Sequence, residues 1–372
     1  MICAGGTGGG IYPALAAVTE LCRQGMSTGQ FCWVGTRGEM EEKLVPDAGL
    51  KLETISGGAI VGVAPQVMMK NAAKLTWSVG KASGLIRRFK PDVVFMTGGY
   101  VAAPVAVAAR LHQVPITIYL PDVEPGSAIR FALRFARKVA CTSDGSRAFV
   151  PDDKLVVTGY PVRPELRAAT RLSKREALAQ FDLEPGRPTL FVFGGSRGAR
   201  NINRALMGIL PQLLNREQVI HISGVLTWPE VEAIAATLPD GVRQRYRPFP
   251  YLHEKMGAAY RAADLVVARA GASMLGECPA FGVPAILVPL TFAWRYQKVN
   301  ADYLTERGAA VQLTDEQLPA QLLPAVRELL EDDARLKQMS AAAAALDVPD
   351  ATKRLADMIL AVGQRATQGA HA

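Results

Sequence analysis

The chain repeats one local design in both of its halves: a short apolar run, a glycine-rich loop, then a helical stretch. In the first half Ile2-Cys3 runs into AGGTGGGIYPALAA at residues 4–17, with glycines at 5, 6, 8, 9 and 10. In the second, Thr189-Leu190-Phe191-Val192-Phe193 leads into Gly194-Gly195-Ser196-Arg197-Gly198-Ala199-Arg200 and a helix from Asn201. Glycine lacks the Cβ that would hold a phosphate off the backbone, and a helix N-terminus presents N–H groups and a positive partial charge. The first loop departs from the G-x-G-x-x-G dinucleotide fingerprint, and no acidic ribose ligand closes a βαβ unit before residue 60, so a structural tight turn is the competing reading.

Between the two loops, apolar runs alternate with helical stretches. Phe31-Cys32-Trp33-Val34, residues 91–96, Ile116-Thr117-Ile118-Tyr119-Leu120, residues 139–141 and residues 155–157 read as strands. Val219-Ile220, Leu265-Val266-Val267-Ala268 and residues 284–289 continue the series. Near-continuous apolar strands in β–α alternation predict parallel sheets covered on both faces, an α/β fold. Gly159-Tyr160-Pro161-Val162-Arg163-Pro164 breaks the pattern and reads as a linker. The expected domains are therefore 1–160 and 161–348, with a last helical segment at 349–372. Residues 247–256 read as a proline-broken loop, 315–346 as helical, 351–362 as the final helix and 363–372 as a frayed tail.

The 372 residues suffice for two domains with sizeable cores. No apolar run reaches the ~18 residues of a spanning helix, and no secretory leader opens the chain, which points to the cytosol. A first strand so close to Met1 reads as a clipped N-terminus. The five cysteines form no C-x-x-C pair, and their apolar neighbours favour buried thiols over a metal site or disulfides. A formal charge of +8, from 42 Lys and Arg against 34 Asp and Glu, suits an anionic partner. Nucleic acid is disfavoured as that partner, because no tract interleaves aromatic with basic residues.

Residues 267–301, VARAGASMLGECPAFGVPAILVPLTFAWRYQKVNA, concentrate polar chemistry at two strand ends. Arg269 and Gly271 open a turn into a helix that carries Glu277 about one and a half turns in. The next apolar run delivers Arg295, Tyr296, Gln297 and Asn300. Open α/β sheets bind anionic ligands at such turns, and a carboxylate beside one can accept hydrogen bonds from sugar hydroxyls. The competing reading is an ordinary strand–helix–strand unit with Glu277 on a solvated face.

Taken together, the residues resemble the MurG-type N-acetylglucosaminyltransferases of glycosyltransferase family 28. The matching residues are Gly5-Gly6-Thr7-Gly8-Gly9, Gly35-Thr36 with Met40-Glu41, Thr97-Gly98-Gly99-Tyr100-Val101, Gly159 with Pro161-Val162-Arg163, Phe193-Gly194-Gly195-Ser196 with Gly198-Ala199, and Arg269 with Gly271-Ala272, Glu277, Gln297 and Asn300. They run in the family's order over nearly the whole chain. The resemblance implies the GT-B fold, two Rossmann-like domains with parallel sheets facing across a cleft, the final helix crossing back onto the first domain.

It also implies that UDP-N-acetylglucosamine is held by the second domain. Ser196 and its loop would meet the diphosphate with Arg163 close by, and the Leu252 backbone would meet uracil with Met256 supporting it. Glu277 would take the ribose hydroxyls, while Gln297 and Tyr296 would read the sugar. Thr7, Gly8, Gly9, Gly10 and Tyr100 would face the diphosphate of a lipid-linked acceptor. No D-x-D pair occurs, so no metal and no cofactor are expected; helix N-termini and an arginine can stabilise a diphosphate leaving group.

All but one of the departures fall on the acceptor side. Gly10 stands where the family carries a histidine, and Tyr119-Leu120-Pro121-Asp122, with Glu124 behind it, replaces the family's H-E-Q-N. Tyr296 stands at the first of two paired glutamines. Asp122 and Glu124 are the candidates for the catalytic base, with turn chemistry as the alternative. Three functions stay open: inverting transfer to a polyprenyl-diphospho-muramoyl-pentapeptide in peptidoglycan synthesis, transfer to another lipid or isoprenoid acceptor, and silent binding of a UDP-sugar. Finally, Val67, Met68, Leu75, Trp77, Leu85 and Ile86 lie among Lys70, Lys74, Lys81, Arg87, Arg88 and Lys90. This pattern suits either an anionic membrane surface, giving a peripheral enzyme on the cytoplasmic face, or a core helix with a basic outer side.

Overall fold

The computed structural model describes residues 1–6, 8–55, 65–99, 101–195, 199–290 and 295–370, without the side chains of 65–75, 295 and 365–370. The chain forms two compact units, Met1–Pro161 with Pro349–Ala372, and Val162–Val348.

The first unit is built on seven parallel strands, β1 (Ile2–Cys3), β2 (Cys32–Gly35), β3 (Lys51–Thr54), β4 (Val94–Met96), β5 (Ile116–Leu120), β6 (Ala136–Cys141) and β7 (Leu155–Val157). Their order in the sheet is β3-β2-β1-β4-β5-β6-β7. The second unit has six, β8 (Thr189–Phe193), β9 (Gln218–Ile222), β10 (Tyr246–Phe249), β11 (Leu265–Ala268), β12 (Ala285–Leu287) and β13 (Ala310–Gln312), ordered β10-β9-β8-β11-β12-β13. Both are Rossmann-like, and every pairing is parallel. In each sheet the winding reverses once, between β1 and β4 and between β8 and β11. Loops at the carboxyl ends of those strands diverge there and leave the crevice in which such sheets bind ligands.

The cores follow from the apolar runs. On one face of the first sheet, Ile11, Ala14 and Leu21 of the helix Gly8–Arg23 meet Leu355 and Ile359 of the helix Ala351–Ala370 over Trp33 and Phe95. On the other face, Val101, Val105, Ala82 and Ile86 cover Val94 and Ile118. In the second unit Ile202, Leu206 and Leu210 of the helix Arg200–Leu213 pack with Leu322 and Val326 over Leu190 and Val192. A buried polar chain crosses this core. His221 Nδ1 lies 2.7 Å from the Tyr246 hydroxyl and its Nε2 3.0 Å from Asn203 Oδ1. Because Asn203 Nδ2 donates to Ser223 O and Thr227 Oγ1, its Oδ1 must accept, so His221 carries its proton on Nε2.

Several local expectations change. The stretch read as a proline-broken loop contributes β10, and β3 and β13 were not anticipated. Residues 315–346 form two helices, Leu318–Glu331 and Asp333–Ala344, because Asp332 breaks the first and its carboxylate caps the second by accepting the Arg335 N–H at 2.9 Å. The last helix runs to Ala370 where a frayed tail was expected from 363.

Candidate functional site

Each switch point carries one glycine-rich loop and one polar cluster. In the first unit, Gly5 and Gly6 follow β1 and the helix Gly8–Arg23 starts at once, with no acidic residue in its first turn. Its leading N–H groups lack intrahelical partners and carry the positive end of the helix dipole. The loop after β4 lies against this one: a Cβ on Gly99, at φ +94°, would stand 3.3 Å from Gly5 N and O. Thr97 Oγ1 donates to Gly10 O at 2.8 Å. Gly10 is buried, and a Cβ there would stand 3.2 Å from that hydroxyl. Thr7 and Tyr100 lie outside the described residues, whereas Gly8, Gly9 and Gly10 form the opening turn of the helix.

A buried carboxylate holds this corner. Glu41 accepts the Gly6 N–H at 3.1 Å and the Thr36 N–H at 2.9 Å, tying the first loop to the end of β2. Its side chain fills the space left by Gly5 and Gly35, where a Cβ would stand 2.2 Å from Oε1 and 2.7 Å from Cγ. Sequence reasoning noted Glu41 among matching residues without giving it a task; no spacing rule marks a carboxylate that serves a glycine loop 35 residues away.

The two candidate bases differ. Asp122 is partly buried just past β5, whereas Glu124 is buried and accepts from Arg130 Nη2 at 2.8 Å. Glu124 thus forms an ion pair that fixes the turn into the helix Ser127–Ala132. Tyr119 faces inward, its hydroxyl 2.7 Å from Thr142 Oγ1, and burial pushes that phenol well above its ordinary pKa.

In the second unit, Ser196 lies outside the described residues, while Gly195 before it has φ +84° and the helix Arg200–Leu213 follows. Glu277 is buried, not on a solvated face, and it is the first residue of the helix Glu277–Phe281 rather than one and a half turns in. A 3₁₀ turn, Ala272–Leu275, and Gly276 intervene. Burial pushes its carboxyl above the usual carboxylate range; the Arg163 guanidinium and hydrogen bonds from Tyr260 and Ser273 pull it back, and nearby Glu165 adds to the rise. Arg163 is partly buried, with Nη1 3.4 Å from Glu165 Oε1. Arg163 acts on Glu277 through its charge, so the two lie near one another.

Leu252 is buried past β10, and Met256 begins the helix Met256–Ala262. Four residues on, Tyr260 donates to Glu277 Oε2 at 2.8 Å. Tyr296 and Gln297 open the helix Arg295–Glu306, and Gln297 Oε1 accepts the Leu290 N–H at 3.0 Å, which fixes the orientation of its amide. Two further side chains brace these loops. Asn300 Nδ2 donates to Ala270 O at 3.1 Å, and Arg269 reaches Val288 O at 3.2 Å and Asp315 at 2.9 Å. Arg269 therefore ties β11 to β12. The structure gathers Arg163, Glu277 and the unforeseen Tyr260 into one cluster; a tyrosine in an alanine-rich helix gives no sequence signal of a carboxylate partner.

The membrane pattern divides. In the helix Pro65–Phe89, Ile86 is core and Leu85 packs beside it, as the core-helix alternative has it. Trp77 is 55% exposed with Lys81 Nζ 3.8 Å from its ring centre, and Arg88 pairs with Glu53 at 2.7 Å. The side chains of Val67, Met68, Lys70, Lys74 and Leu75 lie outside the described ones. Among the described residues no helix is long and apolar enough to cross a membrane.

Comparison with known proteins agrees with this architecture. Residues 1–141 match the glycosyltransferase family 28 N-terminal domain, and residues 189–355 match its C-terminal domain. The UDP-N-acetylglucosamine–N-acetylmuramyl-(pentapeptide) pyrophosphoryl-undecaprenol N-acetylglucosamine transferase of Roseiflexus sp. (strain RS-1) is 38% identical, covering 95% of this chain and 93% of its own. The protein of the same name from Desulforamulus reducens is 37% identical, covering 97% of each. The crystal structure of Acinetobacter baumannii MurG superposes with a TM-score of 0.78 at 27% identity, over 97% of this chain and 98% of that one. The chain belongs to glycosyltransferase family 28, and within it to the MurG-type N-acetylglucosaminyltransferases.

Proposed function

We propose that the chain is an inverting hexosyltransferase that moves N-acetylglucosamine from UDP-N-acetylglucosamine to a polyprenyl-diphospho-muramoyl-pentapeptide, converting lipid I to lipid II in peptidoglycan synthesis. The observation that carries this reading is the buried Glu277 carboxylate at the second switch point, facing the positive charge of Arg163 and set beside the Leu252–Met256 corner. That is the donor set a uridine diphosphate requires: a carboxylate for two ribose hydroxyls, a guanidinium and helix N-termini for the phosphates. Ser196 joins the diphosphate, Leu252 and Met256 take the base, and Tyr296 and Gln297 read the sugar. Thr7, Gly8, Gly9, Gly10 and Tyr100 serve the acceptor diphosphate on the first unit.

In the reaction, the acceptor hydroxyl oxygen forms a bond to the anomeric carbon while the bond from that carbon to the UDP oxygen breaks. UDP leaves with the electron pair, and the acceptor proton passes to a base. Asp122 is taken as the base because it is only partly buried just past β5, whereas Glu124 is buried. The enzyme works as a peripheral protein on the cytoplasmic face of the membrane, where Trp77, Lys81 and Arg87 meet an anionic leaflet.

A second reading, the same transfer to a different lipid acceptor, is favoured by two observations: Gly10 carries no side chain, and the Tyr119 hydroxyl is occupied inside the core. Labelled donor offered to a lipid I analogue, a polyprenyl phosphate and a glycolipid decides between them. Label in the lipid I product alone is expected; label in another acceptor alone overturns the first reading.

A further inference from the structure

Tyr260 is fully buried, yet its one polar atom lies at the candidate donor site. Its ring is gripped by Phe191 at 5.3 Å and Phe193 at 5.7 Å, both edge-on, and is stacked on Phe281 at 5.2 Å. Phe191 and Phe193 belong to β8, and Phe281 ends the helix that Glu277 begins. Offset and edge-to-face contacts of this kind add attraction beyond burial and leave the ring little freedom. The hydroxyl is thus delivered to one place, 2.8 Å from Glu277 Oε2.

We propose that Tyr260 is a positioning residue for ribose recognition: its locked phenol holds the Glu277 carboxylate in the rotamer that receives the ribose diol. The inference rests on the reading of Glu277 as the ribose ligand. A carboxylate at the first position of a five-residue helix has several staggered rotamers. A charge-assisted bond from a rigid donor selects one of them and satisfies one acceptor direction, leaving the remaining lone pairs for two sugar hydroxyls. Tyr260 also sits one helical turn after Met256, so the same short helix sets both the base corner and the ribose carboxylate. The other groups facing Glu277 do different work. Arg163 and Ser273 favour its charged form, Glu165 opposes ionisation, and the neighbouring Cys278 thiol is kept protonated by burial.

The test is calorimetric titration of the full chain with UDP and with 2′,3′-dideoxyuridine diphosphate, which lacks the diol. The wild type prefers UDP. In Tyr260→Phe that preference falls about tenfold, the worth of a hydrogen bond to a charged group, through weaker UDP binding with dideoxy binding unchanged. The preference is a ratio within one preparation, so a reduced folded fraction does not alter it. Equal losses for both ligands, or an unchanged preference in Tyr260→Phe, would each overturn the proposal. The underlying reading fails separately: wild type would then bind both ligands alike, and Glu277→Ala would leave UDP affinity as it was.

Discussion

Gly5 packs against the end of the Glu41 side chain so closely that a Cβ on residue 5 would stand 2.2 Å from Oε1. That oxygen is not free to swing away, since it accepts the Thr36 N–H while its twin accepts the Gly6 N–H. A methyl group at residue 5 must break one of these bonds and leave a buried donor unsatisfied. Gly5→Ala is therefore expected to destabilise the protein by about 1–3 kcal/mol, measured as a lower urea midpoint. An unchanged midpoint would show that the loop relaxes without cost.

The two candidate bases should separate on mutation. Asp122→Asn is expected to lower turnover ~10²-fold or more at saturating substrates, the usual contribution of a general base, with the melting temperature unchanged. Glu124→Gln removes the charge that Arg130 meets and should act on stability instead. Equal turnover for wild type and Asp122→Asn places the base elsewhere.

Much of the molecule was legible because its interior strands are buried on both faces and read as unbroken apolar runs. The strands that escaped notice, β3, β10 and β13, are all sheet edges. Lys51–Thr54 is exposed at Lys51 and half-buried at its other three residues, Pro248 interrupts β10 where an edge strand can forgo an N–H, and β13 has only three residues. In the site, loops and strand ends were visible as glycines and clustered polar residues. What stayed hidden was how side chains serve one another: Glu41 under Gly5, Arg130 on Glu124, Tyr260 on Glu277. Those pairings are made by three-dimensional packing between elements, and no period or spacing encodes them.

His221 gives the protein an acid-sensitive core. Burial lowers its pKa from the ordinary 6.5 to about 3. The unfolded chain takes up a proton near pH 6.5 that the folded chain refuses, so stability rises with pH across the window from about 3 to 6.5. The full contribution is present above pH 6.5 and is lost as the pH falls through that window. Between pH 7.5 and 5.5 this residue alone should remove about 1.4 kcal/mol. Urea unfolding at both pH values, compared between wild type and His221→Gln, isolates the term. Identical pH dependence in the two proteins would contradict it.

Membrane attachment should be electrostatic in large part. Flotation with anionic vesicles is expected to recover the protein, less so at high salt, while neutral vesicles recover little; each basic residue near the leaflet adds ~1 kcal/mol. Neutralising Lys74, Lys81, Arg87 and Arg88 together should weaken recovery. Equal recovery with both vesicle types, or with neither, would assign the Pro65–Phe89 helix to the core alone.

The central claim is sugar transfer from a uridine diphosphate donor to a muramoyl lipid. Proton NMR of the reaction between UDP-N-acetylglucosamine and a short-chain lipid I analogue tests it most directly. The expected result is one disaccharide-linked lipid carrying N-acetylglucosamine with inverted anomeric configuration, formed in step with an equal amount of UDP. Retained configuration, free N-acetylglucosamine in place of a linked product, or no release of UDP would contradict the account.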